Sequence, residues 1–270
     1  MSIPEIVDGA TRLYGIIGDP IDQVRSPQQI TMRFRAAGQN GICVPIQASI
    51  EQFDTVIRGL KAMSNFHGFV LTVPHKVRAM PYVDRLSPGA LRIGAVNVVR
   101  READGAWAGD MTDGKGLLQA ACEAGFEPQG KRAVVIGAGG AGSAIIDAFA
   151  DAGVADITIV DVDAAKAAAV AARLGRAHNR CRFTVGKADA AGKDILVNAS
   201  PVGMYPGTQM PAPLGRLDPQ LIVSDVITKP EITPLLAHAR ACGCRISTGV
   251  AMYQAQADML ARFLMPEIAR

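Results

Sequence analysis

The sequence predicts an α/β protein with two domains, and three observations support that prediction. Strand-like and helix-like segments alternate along most of the 270 residues, which is typical of parallel sheets joined by right-handed crossovers. An apolar strand runs into the glycine-rich loop GAGGAG at residues 137–142, and an apolar helix follows it. The chain is also long for one compact core, and EAGFEPQG at residues 123–130 has the glycine and proline of a boundary.

The N-terminal half alternates between strands and helices. YGIIGDP, GICVPIQA and FHGFVLTVP are rich in β-branched and aromatic residues and predict three strands, the third stopped by Pro74. SPQQITMRFRAAG predicts a helix with Ser26 as N-cap and Pro27 at its first position. IGAVNVVRREADGAWAGDM predicts two short strands joined by a turn at Asp104 and Gly105. IEQFDTVIRGLKAM predicts an amphipathic helix, with these residues on its apolar side: Ile50, Phe53, Val56, Ile57 and Leu60.

A second block of the same kind begins near Gly130. KRAVVIGAGGAGSAIIDAFADAG predicts a strand, a glycine loop and a helix. DITIVDVD predicts the next strand, and AAKAAAVAARLG predicts an alanine-rich helix. DILVNASPVG and LIVSDVI predict two further strands, with helices after the second. We therefore expect a parallel sheet in each block.

Composition excludes several classes of function. The net charge is only +3 with scattered basic residues, and 5% of residues are aromatic, so we expect no nucleic-acid partner and no membrane partner. The N-terminus lacks the basic and apolar regions of a signal peptide, which predicts a cytoplasmic protein. The five cysteines are irregularly spaced and the four histidines are dispersed, so we expect reduced thiols and no metal site.

The glycine-rich loop predicts a dinucleotide site. Gly137, Gly139 and Gly142 form G-x-G-x-x-G between a strand and a helix, where the backbone can approach a pyrophosphate at the helix N-terminus. Asp161 ends the next strand at the distance that the fingerprint requires. The alternative is a glycine-rich turn without a ligand. The complete set of loop residues predicted to contact the cofactor is Gly137, Ala138, Gly139, Gly140, Ala141 and Gly142.

The residues after the second strand favour NAD over NADP. A carboxylate at Asp161 accepts hydrogen bonds from ribose hydroxyls and repels a 2′-phosphate. Val162 and Asp163 follow, and the first arginine is Arg173, far along the helix. Lys166 lies within reach, but two acidic residues are closer in the sequence. We predict NAD as cofactor, with NADP the less favoured alternative.

A lysine and an aspartate are candidates for acid and base catalysis. Hydride chemistry at a carbinol carbon also moves a proton on or off the oxygen, so it needs a general acid or base. Lys76 follows the apolar strand in VLTVPHK, and Asp113 lies in GDMTDGKG after a short strand. Both stand where α/β sheets bind ligands. The alternative for Lys76, from its spacing alone, is a solvated surface lysine.

Seven segments together resemble the shikimate dehydrogenase family: GDPIDQVRSP, VLTVPHK, GAVN, GDMTDGKG, GAGGAG, NASPVGM and GVAMYQAQ. They occur in the family's order from about Tyr14 to Phe263. The resemblance implies that Lys76 and Asp113 are the catalytic pair. It also implies a substrate-binding domain at residues 1–116, a Rossmann NAD-binding domain at 117–250, and a helix at 251–270 that returns to the first domain. The substrate would lie in the cleft between the two.

The same resemblance implies further site residues. Positions that match the family's substrate contacts are Ser26, Thr72, Asn97 and Gln256. Positions that match the surroundings of the nicotinamide are Met204, Gly249 and Met252, and Asn198 of NASPVGM joins the cofactor-binding residues. The family's NADP members carry Asn-Arg-Thr where this chain has Asp161, Val162 and Asp163, which agrees with NAD.

Departures from the family pattern concern the substrate. Val24 stands where the family usually has a carboxylate-binding serine, Val70 replaces an asparagine, and Thr228 replaces a tyrosine. Met111 replaces the asparagine common before Thr112 and Asp113. These changes remove hydrogen-bonding groups, so the substrate is predicted to be less polar than shikimate.

The sequence thus predicts an NAD-dependent dehydrogenase that interconverts a ring hydroxyl and a ketone on a shikimate-like or quinate-like cyclic hydroxy acid. The protein is expected to be a monomer or a homodimer. Two alternatives stay open besides a less polar substrate. One is a non-catalytic NAD-binding sensor, which the retention of Lys76 and Asp113 argues against. The other is a folate-metabolising dehydrogenase of similar architecture.

Overall fold

The computed structural model describes residues 7–22, 24–205, 207 and 209–269. The chain forms two compact units. Unit 1 comprises Met1–Thr112 with Ala257–Arg270, and unit 2 comprises Asp113–Gln256. The domain bounds expected from the sequence, and the roles given to those domains, stay predictions.

Unit 1 is built on a six-stranded sheet with the order β2-β1-β3-β5-β6-β4. Its elements are β1 (Arg12–Gly18), α1 (Ser26–Ala36), β2 (Gly41–Gln47), α2 (Phe53–Ala62), β3 (Phe66–Leu71), β4 (Arg85–Leu86), α3 (Pro88–Ile93), β5 (Val98–Arg101) and β6 (Trp107–Asp110).

The sheet of unit 1 is mixed, so the expectation of a parallel sheet is wrong for part of it. Strands β1, β2 and β3 are parallel, but β5 runs antiparallel to both β3 and β6. The turn at Asp104 and Gly105 accounts for the pairing of β5 with β6, because a short turn joins strands only as an antiparallel pair. Gly105 has a φ of 85°, a left-handed conformation that glycine adopts without strain.

The start of α1 differs from the sequence prediction. The residue before the helix is Arg25, with φ −110° and ψ −8°, and no side chain caps the helix. Ser26 is the first helical residue and is buried, so it does not act as the N-cap. Pro27 lies in the first turn as expected, where its missing N–H costs nothing.

The apolar side of α2 is shorter than the sequence predicts. Phe53 and Ile57 are fully buried, but the helix begins only at Phe53. Ile50 therefore lies before the helix, with 48% of its surface exposed. Unit 1 also contains a hydrophobic cluster of buried residues that includes Tyr14, Ile30 and Val70.

Unit 2 is a doubly wound α/β fold around a six-stranded sheet with the order β12-β11-β10-β7-β8-β9. All of its strand pairs are parallel, as expected. Its elements are α4 (Asp113–Glu123), β7 (Arg132–Ile136), α5 (Gly140–Asp151), β8 (Asp156–Val160), α6 (Ala164–Gly175), β9 (Arg182–Val185), β10 (Ile195–Asn198), β11 (Ile222–Asp225), α7 (Pro234–Ala241) and β12 (Arg245–Ser247). A last helix, α8, spans Gly249–Leu264.

The strand register of unit 2 brings polar residues together at one edge of the sheet. Asn198, the last residue of β10, pairs with Ile136 on one side and with Asp225 on the other. The carboxyl ends of parallel strands are where open α/β sheets bind ligands. Within the described residues, every helix is too short or too polar to span a bilayer.

Candidate functional site

The glycines after β7 are required by close backbone contacts. Gly137 has a φ of 106°, and a Cβ on it would lie 2.8 Å from the carbonyl carbon of Ala199. A Cβ on Gly142 would lie 1.8 Å from the carbonyl oxygen of Gly137. Any side chain at either position would therefore push the loop away from its neighbours.

The same loop opens helix α5 with space beside it. The first helical bond runs from Ser143 N–H to the Gly139 carbonyl at 2.8 Å, so the amides of residues 140–142 lie outside the helix ladder. The nearest atom to a Cβ on Gly139, apart from adjacent residues, is Lys166 Nζ at 3.9 Å. Open N–H groups, a helix N-terminus and a nearby ammonium fit the pyrophosphate of a dinucleotide.

Asp161 is fixed beside this loop. Its carboxylate accepts hydrogen bonds from Ala138 N–H at 2.7 Å and Asp163 N–H at 3.0 Å, and Lys166 Nζ lies 3.7 Å away. Burial raises the pKa of Asp161, but these two amides and Lys166 outweigh it, so the pKa lies below its usual value. The carboxylate is therefore ionised at neutral pH. Val162 beside it is fully exposed.

The side chain of Asn198 forms hydrogen bonds to the segment that follows β10. The Asn198 Oδ1 accepts from Ser200 N–H at 3.1 Å and from Ser200 Oγ–H at 2.7 Å. Its Nδ2 donates to the Val202 carbonyl at 3.0 Å. Asn198 is fully buried. Its amide thus shapes the chain that leads to Met204, whose N–H donates to the Pro201 carbonyl at 3.1 Å.

The other residues expected near the nicotinamide lie in two places. A Cβ on Gly249 would lie 2.3 Å from the Ile227 carbonyl oxygen, so the start of α8 packs directly on the segment before Thr228. Met252 is buried in the main core cluster of unit 2. Thr228 itself is half-buried.

Asp113 and Gln256 form one buried pair in unit 2. Gln256 Nε2 donates to Asp113 Oδ1 at 2.8 Å. Two glycines allow this contact: a Cβ on Gly114 would lie 1.9 Å from the Ala144 carbonyl oxygen, and one on Gly116 would lie 2.9 Å from the Gln256 Cβ. Helix α4 therefore packs closely against both α5 and α8, and Asp113 is held at its first position.

Lys76 lies in a tightly bonded turn of unit 1. Its carbonyl accepts from Val96 N–H at 2.9 Å, and the Thr72 carbonyl accepts from His75 N–H at 2.9 Å. His75 is fully buried, and its Nε2–H donates to the Ala48 carbonyl at 2.7 Å. The His75 ring also stacks on Phe53 with centroids 4.3 Å apart. Lys76 is half-buried and directly follows His75, whose side chain is held in place by these contacts.

Asn97 lies near that turn and is bonded to Thr112. Its backbone carbonyl accepts from Leu71 N–H at 2.7 Å, at the end of β3. Asn97 Oδ1 accepts from Thr112 N–H at 2.9 Å, and Asn97 Nδ2 donates to Thr112 Oγ1 at 3.0 Å. Thr72 packs against Gly18, where a Cβ would lie 2.2 Å from its Cγ2. These candidate substrate residues of unit 1 therefore share one edge of its sheet.

The two valines that depart from the family pattern lie in one cluster. Val70 is only 5% exposed and belongs to the core cluster with Tyr14 and Ile16. Val24 is partly buried against the same cluster. Ser26 is buried in the first turn of α1.

Two polar residues near these sites, His75 and Asp225, have no role predicted from the sequence. Both end or follow an apolar strand, as Asn198 does, and that position was the available signal. Asp225 is fully buried and bonded to Asn198. Among the residues that the structure describes, no three His, Cys, Asp or Glu side chains gather as a metal site would require.

Comparison with known families identifies the relatives of the chain. A family model for the shikimate dehydrogenase substrate binding domain matches residues 16–99, and one for shikimate / quinate 5-dehydrogenase matches residues 120–202. Curated proteins named shikimate dehydrogenase (NADP(+)) from Rubrobacter xylanophilus and Geobacter sulfurreducens are 41% and 38% identical to the chain. Each covers 93% of this chain, over 89% and 90% of its own length.

Solved structures show the same relationship to this family. Shikimate 5-dehydrogenase from Listeria monocytogenes, in complex with shikimate and NAD, has a TM-score of 0.87 and 32% identity over 96% of this chain and 93% of its own. Quinate dehydrogenase from Corynebacterium glutamicum, in complex with NAD, has a TM-score of 0.85 and 29% identity over 95% and 94%. Ligand-free 5-ketofructose reductase from a Gluconobacter strain has a TM-score of 0.83 and 32% identity over 95% and 93%. The chain therefore belongs to the shikimate dehydrogenase family, as an oxidoreductase of that type that acts on CH–OH groups with a nicotinamide dinucleotide.

Proposed function

We propose that this protein reversibly oxidises a ring hydroxyl to a ketone on a shikimate-like or quinate-like cyclic hydroxy acid. The observation that carries the proposal is the buried pair of Asp113 and Gln256, with Gln256 Nε2 donating to Asp113 Oδ1 at 2.8 Å. The pair orders a carboxylate at the start of α4, in the motif where the family has its catalytic aspartate. Lys76 occupies the position of the family's catalytic lysine.

Lys76 and Asp113 divide the proton chemistry between them in this proposal. A nicotinamide held by the candidate residues of unit 2 would supply the hydride chemistry at the carbinol carbon. Lys76 accepts the hydroxyl proton during oxidation and returns it to the oxygen during reduction. Asp113 orients the substrate hydroxyl, and Gln256 keeps the Asp113 carboxylate in place while contacting the substrate. Ser26, Thr72 and Asn97 complete the substrate contacts.

The proposed cofactor is NAD in preference to NADP. The ionised Asp161 supports this proposal, because a second negative charge beside it would be repelled. NAD is also the cofactor in the two ligand-bound structures described above, whereas the curated relatives are named as NADP(+) enzymes. Lys166 is the residue that favours NADP, but its ammonium lies 3.7 Å from Asp161 and is partly neutralised by it.

The proposed substrate has fewer polar groups than shikimate. Val24 and Val70 support this, because an apolar cluster offers no hydrogen bond to a substrate hydroxyl or carboxylate. Two of the solved relatives are named for other substrates, quinate and 5-ketofructose. The family fold therefore accommodates different hydroxy compounds.

A reduction assay over a panel of substrates tests the proposal. NAD and NADP are each supplied with shikimate, quinate and cyclic hydroxy acids that lack one or more ring hydroxyls, and absorbance of the reduced nicotinamide is followed. Turnover of at least one cyclic hydroxy acid is expected. Tight dinucleotide binding without turnover of any of them would instead favour a non-catalytic NAD-binding sensor.

A further inference from the structure

The proposed mechanism gives no role to the buried carboxylate at the end of β11. Asp225, the last residue of β11, is 1% exposed. Three donors converge on it: Ile227 N–H at 3.0 Å, Asn198 Nδ2–H at 3.1 Å and Thr233 Oγ–H at 2.8 Å. An ionised carboxylate only accepts hydrogen bonds, so it satisfies all three donors at once.

The amide of Asn198 can take only one orientation in this network. Its Oδ1 faces the Ser200 N–H, which only donates, and its Nδ2 faces the Val202 carbonyl, which only accepts. The Nδ2 therefore has one proton for Val202 and one for a second acceptor. Asp225 Oδ2 is that acceptor, at 3.1 Å. A change at Asp225 thus disturbs the residue that shapes the segment from 199 to 204.

That segment touches the glycine-rich loop. A Cβ on Gly137 would lie 2.8 Å from the carbonyl of Ala199 and 2.9 Å from the amide nitrogen of Ser200. On the other side, a Cβ on Gly203 would lie 3.5 Å from Ile227 Cδ1 and 3.5 Å from Thr233 Cβ. The chain between Asn198 and Met204 is therefore held between the glycine loop and the two residues that also bond to Asp225.

We propose that Asp225 is a positioning residue that acts through Asn198 to hold residues 199–204 in the conformation that receives the nicotinamide half of the dinucleotide. Ile227 extends the same support, since its carbonyl oxygen lies 2.3 Å from the Cβ position of Gly249, at the start of α8. This inference rests on the proposed function, which assigns Met204 and Gly249 to the nicotinamide.

The substitution Asp225→Asn tests the inference, because the new side chain has the same shape but one donor. If the oxygen of the new amide accepts from the Ile227 N–H, its NH₂ group faces Asn198 Nδ2, so that two donors oppose each other. If the amide is flipped, its NH₂ group opposes the Ile227 N–H instead. We expect the dissociation constant for NADH, or for NADPH if that is the cofactor, to rise by about tenfold or more, as expected when a buried donor loses its acceptor. The KM for the hydroxy acid should stay within about twofold.

A paired substitution separates positioning from a general loss of stability. Asn198→Asp combined with Asp225→Asn restores one acceptor opposite one donor, so it should recover part of the cofactor affinity. Asp218→Asn is the matched control, since this exposed residue of unit 2 undergoes the same chemical change, and it should bind cofactor as the wild type does. If Asp225→Asn does not fold, Asn198→Ala cuts the same link and should show the same selective loss of cofactor affinity.

The measurements are dinucleotide fluorescence titration, the two KM values and the thermal midpoint. Wild-type cofactor affinity in a folded Asp225→Asn or Asn198→Ala variant would overturn the inference alone, as would an equal rise in both KM values. A wild-type protein that binds neither NADH nor NADPH would overturn the proposed function first, and the inference with it.

Discussion

Lys76 follows a residue whose side chain is fully fixed. The His75 ring is bonded to the Ala48 carbonyl at 2.7 Å and stacked on Phe53. The Lys76 carbonyl accepts a hydrogen bond from the Val96 N–H at 2.9 Å. A lysine carries large rotamer entropy, but its backbone position here is set from both sides. At the scale of single residues, a fixed backbone supports the proposed role of Lys76 as a general acid and base.

Replacing Lys76 with alanine tests its role directly. Loss of a general acid or base lowers kcat by roughly 10²- to 10⁴-fold, so Lys76→Ala should fall in that range on the true substrate. The dissociation constant for the dinucleotide should barely change, because the proposed cofactor residues belong to unit 2. Lys61→Ala is a control at another lysine of unit 1. Near-full kcat in Lys76→Ala, measured by stopped-flow and steady-state assays, would contradict the assignment.

In the proposed function, Asp161 favours NAD and Lys166 favours NADP through their opposite charges. We expect kcat/KM for NAD to exceed that for NADP by at least about tenfold, which corresponds to about 1.4 kcal/mol. Asp161→Asn with Val162→Arg should narrow or reverse the preference, because it removes the repulsion and releases Lys166, now 3.7 Å from Asp161. Steady-state kinetics with both cofactors checks this. Lys166→Ala is the companion variant and should weaken NADP more than NAD, and a wild-type preference for NADP would refute the prediction.

At the scale of elements, sequence reasoning succeeded where the signal is local. The glycine loop, the following helix and Asp161 lie within one strand-loop-helix-strand unit, and the spacing of these residues predicted it. Contacts between distant residues gave no such signal. His75 bonds to Ala48 and Asn198 bonds to Asp225, each pair 27 residues apart. The N-cap prediction for Ser26 failed for a related reason, since packing buries that side chain and overrides its local preference.

Strand β3 and the turn before α1 contain the two valines on which a prediction about shikimate binding is based. Val24 and Val70 pack in one cluster, and each hydrogen bond they fail to offer is worth roughly 0.5–1.5 kcal/mol. With Thr228, three losses would weaken shikimate by about 2–4 kcal/mol. We therefore expect a wild-type KM for shikimate in about the millimolar range or above, and better activity on an analogue lacking ring hydroxyls.

The double variant Val24→Ser with Val70→Asn should raise kcat/KM for shikimate, at a cost in stability because Val70 is only 5% exposed. Val24→Ala with Val70→Ala is the control that removes the same apolar groups without adding polar ones, and it should not improve shikimate turnover. The measurement is kcat/KM for shikimate, determined by steady-state kinetics for the wild type and the two double variants. A low micromolar wild-type KM for shikimate would show that these positions do not redirect the substrate.

At the scale of the whole molecule, unit 2 carries an ionisable group whose charge opposes folding. Burial raises the pKa of Asp225 to about 6, although the Ile227 amide, Asn198 and Thr233 act in the opposite direction. The ordinary pKa of an aspartate is 3.8. Folding therefore favours the protonated form, and the stability linked to this preference is complete below the unfolded pKa. It is lost as the pH rises through the folded pKa.

This linkage predicts a pH-dependent difference between the wild type and Asp225→Asn, which cannot titrate at that position. The rise in the pKa of Asp225 from 3.8 to about 6 corresponds to about 3 kcal/mol. As the pH rises from about 4 to about 6.5, the wild type should lose about that much unfolding free energy relative to the variant, and the difference should then stay constant. Urea unfolding at a series of pH values measures it. The other carboxylates titrate in both proteins, so they cancel from the difference. A difference that does not change with pH would mean that Asp225 ionises as readily in the fold as in the unfolded chain, and that its three hydrogen bonds fully offset its burial.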